Sequence, residues 1–167
     1  MSDPTPRSRS LFQFSVVLAV IGVAAIFLFD ALYYVEEQAE RTVMEATVRN
    51  MNSGVRMEAA IRVMRGQEAS IPELVGADPV KWLENPPVGY SGTCQPELAP
   101  GAWCFDAATR EIVYRPRVDR HLEYLDPGRS GLRWRVGSVA EMAGGNSGKP
   151  ASAGEIRLFS TTSFTWR

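Results

Sequence analysis

Histidine and cysteine are nearly missing from this chain, whose 167 residues include one His and two Cys. Those counts exclude His-based catalytic sets and multi-cysteine metal sites, so neither a metal nor a cofactor is expected. An excess of either charge is missing too: 18 basic residues face 19 acidic ones, for a formal net charge of -1. A dedicated nucleic-acid binder carries a basic surplus, so no nucleic-acid partner is expected. The length allows one compact domain with an appendage and not two full domains. Hydrophobic residues make up 45% and charged residues 22%, the averages of a soluble protein. The apolar residues, however, are spread unevenly.

From Leu11 to Phe29 the chain reads LFQFSVVLAVIGVAAIFLF, without a formal charge. About 19 such residues approach the ~20 that a helix needs to cross ~30 Å of hydrocarbon. Arg7 and Arg9 precede the run, and Asp30, Glu36, Glu37 and Glu40 follow it. That asymmetry predicts a cytoplasmic N-terminus (residues 1–10), a span over 11–29 and an external remainder. A cleaved signal needs small residues just after a short apolar core. Val23-Ala24-Ala25 would serve formally, but the run continues through Phe29. A buried core helix rarely has a wholly apolar circumference. An uncleaved anchor is therefore expected.

After Asp30 no proline occurs until Pro72. Tyr33 and Tyr34 stand where aromatic side chains meet lipid headgroups. Val35, Ala39, Val43, Ala46 and the Met51–Val55–Ala59 row recur at helical spacing, with charges between them. Glu37 with Arg41 and Glu45 with Arg49 are spaced for i,i+4 pairing. The spacing predicts an amphipathic helix over 30–66 that continues the span, about 55 residues and roughly 80 Å from Leu11 to Arg65. Gly54 is its weak point, and Gly66 its natural stop. An Ala- and Met-rich seam is poor for a free-standing coiled coil. One stripe is therefore expected on a globular domain, with the other face open to partners.

Residues 67–167 read as a small, mostly β external domain. Prolines and glycines punctuate 67–100, with a short helix expected at Pro79–Leu83 behind an Asp78 cap. Trp103–Phe105 and Glu111–Tyr114 flank a hairpin connection. Leu132–Val136 alternates, with Leu132, Trp134 and Val136 inward and Arg133 and Arg135 outward. Glu155–Phe159 repeats the style, and Ser163–Arg167 extends the sheet. Pro116–Gly131 and Ala143–Gly154 read as loops. Cys94 and Cys104 bracket Pro96 and Pro100-Gly101 on the external side, where a disulfide is expected over the alternative of two buried thiols.

Chemistry-bearing patterns are few. Gly144–Lys149 imitates a phosphate-binding loop, but Ala143 and Pro150 occupy positions that the pattern assigns to Gly and to Ser or Thr. His121 lacks a nucleophile and an orienting partner in its sequence surroundings. Asp119, Glu123 and Asp126 lack the dense oxygen spacing of a calcium loop. The arginines at 110, 115, 117, 120, 129, 133 and 135 are interleaved with acids, as on an ordinary charged surface. No catalytic residue emerges.

An apolar N-terminal helix, an amphipathic continuation and a small antiparallel sheet with a cysteine-closed loop make an α+β chain. It resembles the type IV pilin and type II secretion pseudopilin family. VVLAVIGVAA (Val16 to Ala25) looks like that family's apolar run, and WCFDAATREIVYRP (Trp103 to Pro116) like a pilin-like strand-turn-strand. Aligning Gly22 with the family's usual glycine puts Ser8 at the cut-site Gly, Arg9 at the aromatic first mature residue and Gln13 at the glutamate. None of the three matches, so the resemblance implies an uncleaved relative. It further implies a single-pass protein of the bacterial inner membrane with a periplasmic domain. Its partners would be membrane lipid, copies of itself or other pilin-like subunits, and secretion or pilus machinery. Close helix approach around Ala19, Gly22, Ala25 and Ala39, with Gln13 as a hydrogen-bonding residue, would mediate assembly. The competing classes are a bitopic protein with a periplasmic ligand-binding or sensing domain, and an anchored hydrolase. About ten cytoplasmic residues are too few for a signalling domain, and no catalytic set supports the hydrolase.

Overall fold

A computed structural model of the chain describes residues 6–126, 131–139 and 152–166, with side chains from residue 13 onward. The fold is α+β, with two compact units, Met1–Ala39 and Glu40–Arg167. The sequence's phosphate-loop mimic at Gly144–Lys149, Arg129 and most of the 143–154 stretch lie outside the described residues.

A single helix, α1, runs from Pro6 to Met64. Gly66, with φ +69°, ends it: the Gly66 amide donates to the Val63 carbonyl and the Gln67 amide to that of Arg62. This is the left-handed closure that glycine adopts without a Cβ penalty. In the Glu40–Arg167 unit, α1 buries Met44, Met51, Val55 and Ala59 against the sheet, the last three completely. Val43 and Met57 face the other way, 66% and 63% exposed. Gly54, costly inside a helix, has a packing reason here: a Cβ would stand 3.0 Å from the Trp82 carbonyl oxygen. The helix approaches the Pro79–Trp82 turn so closely that a side chain at 54 would require the turn to give by a few tenths of an ångström.

Two 3-10 turns follow. Glu68–Leu74 carries Pro72 and buries Ile71 and Leu74, so the proline-punctuated start of the domain is ordered and not merely a connector. Pro79–Trp82 is capped by Asp78, whose Oδ1 accepts from the Val80 amide at 3.0 Å. The short helix expected there exists, in the tighter 3-10 form.

The strands are β1 (Tyr90–Thr93), β2 (Ala102–Asp106), β3 (Glu111–Arg115), β4 (Leu122–Tyr124), β5 (Leu132–Ser138), β6 (Ile156–Ser160) and β7 (Phe164–Trp166). Five of them form a sheet in the order β1-β2-β3-β5-β6. Its β2–β3, β3–β5 and β5–β6 pairs are antiparallel, but β1 joins β2 in parallel, so the sheet is mixed. The parallel pair arises because the loop after β1 carries the chain back before β2 begins. The outer amide of Leu158 on β6 donates to Asn52 Oδ1 of α1 at 3.0 Å.

Two expectations change at the chain's end. Phe164–Trp166 does not extend the main sheet; it pairs antiparallel with β4, a strand lying inside the segment read as a loop. Three-residue strands fall below the length at which alternation is visible in a sequence. Trp166 is nevertheless buried, and its carbonyl accepts from Arg41 Nη1 at 2.6 Å. Arg133 and Arg135 are likewise half-buried and not freely outward. Arg133 Nη1 lies 3.3 Å from Asp106 and 3.2 Å from Glu111 across the outer face.

The core has two parts. One gathers Met44, Met51, Trp103, Ile112, Tyr114 and Trp134 among its members, with Trp103 stacked on Tyr114 at 4.4 Å. The other joins Val55 and Ala59 to Ile71, Leu74, Val136 and Ile156. Cys94 and Cys104 are disulfide-bonded, with Cα atoms 4.8 Å apart. Closing a loop of that length stabilises by about 2–3 kcal/mol in the chain-entropy account.

Candidate functional site

The five residues singled out for assembly all lie on α1 within the Met1–Ala39 unit. Gln13, Ala19, Gly22 and Ala39 are exposed and Ala25 is half-exposed. At about 100° per residue, Ala19, Gly22 and Ala25 share one side of the helix, while Gln13 stands roughly opposite Gly22. The proposed contact residues therefore do not form a single stripe. Any Gln13 partner approaches from the other side. A Cβ built on Gly22 meets nothing within 4 Å among the described residues, so the chain's own packing does not require glycine there.

The same stretch holds an 18-residue window of mean hydropathy 2.5, none of it buried within the chain. Phe14, Leu18, Ile21, Phe27 and Phe29 are each at least 59% exposed. An apolar surface of that size is not stable in water. A soluble core helix would bury such a window, and this one does not. The helix is long and apolar enough to cross a membrane.

The amphipathic half is held to the sheet by a carboxylate as well as by apolar packing. Glu40 Oε1 accepts from the Tyr114 hydroxyl at 2.7 Å and the Arg117 amide at 2.6 Å, and Oε2 accepts from the Val118 amide at 3.0 Å. One acid thus fixes both the end of β3 and the chain beyond it. The sequence offered no signal for this, since the three bonds' ends lie more than 70 residues apart.

A half-buried phenol is tied in the same way: the Tyr90 hydroxyl donates to Asp78 Oδ2 at 2.6 Å. Burial raises the Tyr114 phenol well above its ordinary value, and the hydrogen bond and charge of Glu40 add to this against the opposing Arg117 charge. Burial, then the bond and charge of Asp78, raise Tyr90 likewise. Both groups favour the protonated phenol in the fold. Their contribution to stability is complete below the unfolded phenol value of about 10 and declines as pH rises above it. In a spectrophotometric titration at 295 nm, ionisation of these two tyrosines is expected to be delayed until the domain unfolds. Tyr114→Phe is expected to shrink that late step by about one phenol; an unchanged late amplitude would contradict the assignment.

The remaining polar candidates do not converge. Asp126 Oδ2 accepts from the Ser163 amide at 2.9 Å, extending the β4–β7 pairing and not facing a cation. Asp119, Glu123 and Asp126 form no metal-competent cluster, and none of three or more metal-ligating side chains occurs among the described residues. Asp106, by contrast, is held below the ordinary carboxylate range. Burial by itself raises it, but hydrogen bonds from Thr109, Ala108 and Arg133 together outweigh burial.

Comparisons with known proteins add little to this picture. No family model matches the chain, and no solved structure matches it. A proline–tRNA ligase of Pelotomaculum thermopropionicum is 29% identical over 155 residues, covering 87% of this chain and 24% of the ligase. The chain thus spans about a quarter of the length of that enzyme.

Proposed function

We propose that this chain is a membrane-anchored, pilin-like subunit or accessory protein of a type II secretion or type IV pilus assembly. It works by associating through its helix and its domain, not by catalysis. The observation that carries this reading is the division of labour along α1. An unburied apolar window lies near one end, and the other end buries one stripe on a small disulfide-closed sheet domain. The exposed small residues Ala19, Gly22 and Ala25 permit close approach of a neighbouring helix. The two arginines before the span set the N-terminus in the cytoplasm, with the domain in the periplasm of a bacterial inner membrane.

A photo-crosslinking residue at position 13 or 39, used in native membranes, is expected to capture a second copy or another pilin-like subunit. Gly22→Leu, which meets nothing within 4 Å among the described residues, is expected to weaken capture from position 19 or 25, on its own side of the helix, without lowering domain stability. Recovery of lipid alone, or of unrelated abundant proteins, rejects the assembly reading.

A further inference from the structure

We propose that the cleft on the outer face of the main sheet binds a short zwitterionic peptide. This does not rest on the assembly reading. The cleft measures about 860 Å³, within the range of roughly 300–1,000 Å³ typical of ligand sites. Its floor is one rung of the sheet, where the β2–β3 and β3–β5 registers set Cys104, Val113 and Arg133 side by side. Its wall is the segment closed by the Cys94–Cys104 disulfide.

That wall is pinned three times. Besides the disulfide, Arg115 Nη1 donates to the Leu98 carbonyl at 2.6 Å, and the Cys94 amide donates to the Phe105 carbonyl at 3.0 Å. A ligand entering the cleft therefore does not have to order it, which removes a principal cost of binding.

The charges select the ligand. Arg133 is already matched by Asp106 and Glu111. Arg115 directs one donor to a neutral carbonyl, and the Arg117 guanidinium has neither a hydrogen bond nor an ion pair among the described residues. Glu97 and Asp119 line the same cleft, and their carboxylates likewise have no ion pair among the described residues. Two guanidiniums and two carboxylates, all solvent-exposed, thus line one cleft without an ion pair among the described residues. A simple anion would leave both acids facing like charge, and a simple cation would face both arginines. A neutral sugar would use neither set. A molecule bearing an ammonium and a carboxylate, joined by a body that suits the exposed Pro96 and Pro100, offers a partner to each sign of charge. A guanidinium–carboxylate contact in such a cleft carries orientation as well as strength.

The test uses the full chain in detergent micelles, with amide NMR shifts read against trialanine, its N-acetylated form and its C-amidated form. Trialanine is expected to shift the Cys104, Val113 and Arg115 amides with a Kd on the order of 1 mM, and each capped form to bind about tenfold more weakly. Arg117→Gln is expected to weaken trialanine about tenfold while leaving the C-amidated form unaffected, and Glu97→Gln to do the mirror image with the N-acetylated form. Both side chains are exposed, and an otherwise unchanged spectrum verifies that each variant folds. Absence of shifts at the cleft, or shifts indifferent to the caps and to both substitutions, overturns the proposal.

Discussion

Met51→Asp is expected to unfold the Glu40–Arg167 unit, whereas Val43→Asp, two turns away on the same helix, is expected to be nearly silent. Met51 is completely buried among aromatic residues of the sheet, and Val43 is 66% exposed. Truncating a buried Met costs about 2–5 kcal/mol. A carboxylate in its place adds the penalty of an unpaired buried charge, several kcal/mol more. The sum rivals the total of about 5–15 kcal/mol that holds a domain together. The exposed site should shift stability by no more than about 0.5 kcal/mol. Met51→Leu, which conserves volume, is expected to cost less than about 1.5 kcal/mol. Urea denaturation followed by tryptophan fluorescence reports all three. Equal sensitivity at 43 and 51 would mean that the burial pattern of α1 is wrong.

The second large effect belongs to Glu40. Its carboxylate accepts three hydrogen bonds, two from backbone amides beyond β3 and one from Tyr114. Bonds to a charged group contribute about 1.5–3 kcal/mol each, but partial exposure and shared geometry keep them from adding fully. Glu40→Ala is therefore expected to cost about 3–4 kcal/mol. Tyr114→Phe removes one of the three bonds and should cost less. Combined, the two should fall short of the sum of the single losses by about 1 kcal/mol. Strict additivity in that double-mutant cycle would show that the Glu40–Tyr114 bond contributes nothing.

These two residues also mark where the sequence was and was not sufficient. Periodicity located α1 and its closure at Gly66, because a proline-free amphipathic run ending in glycine has few other outcomes. The β2–β3 hairpin and the inward side of β5 were equally legible from alternation. The disulfide followed from two cysteines with turn residues between them. The buried side of α1 followed only in part: the Met51–Val55–Ala59 row is buried, whereas Val43 and Ala46, read together with it, are exposed. From Ala46 to Met51 is five residues, a rotation of about 140°, and from Val43 to Met51 about 80°, so Met51 lies off the side that Val43 and Ala46 share. Two apolar faces were thus read as one, and only the sheet's position separates them. Glu40, Asn52 and Arg41 were invisible for a different reason. Their partners are backbone groups of segments more than 70 residues away, and a backbone amide has no sequence signature. The cleft was similarly hidden, since its charges come from a loop, a strand end and a neighbouring strand.

Asn52 has one more consequence. An outermost strand normally offers its free amides to any passing chain, which is how sheets fuse into fibres. Here the Asn52 side-chain oxygen already occupies the Leu158 amide on β6, and the opposite border is β1, four residues long with an irregular register. Neither margin is a good template for backbone zippering. The main sheet is therefore guarded at both borders against backbone pairing with another strand.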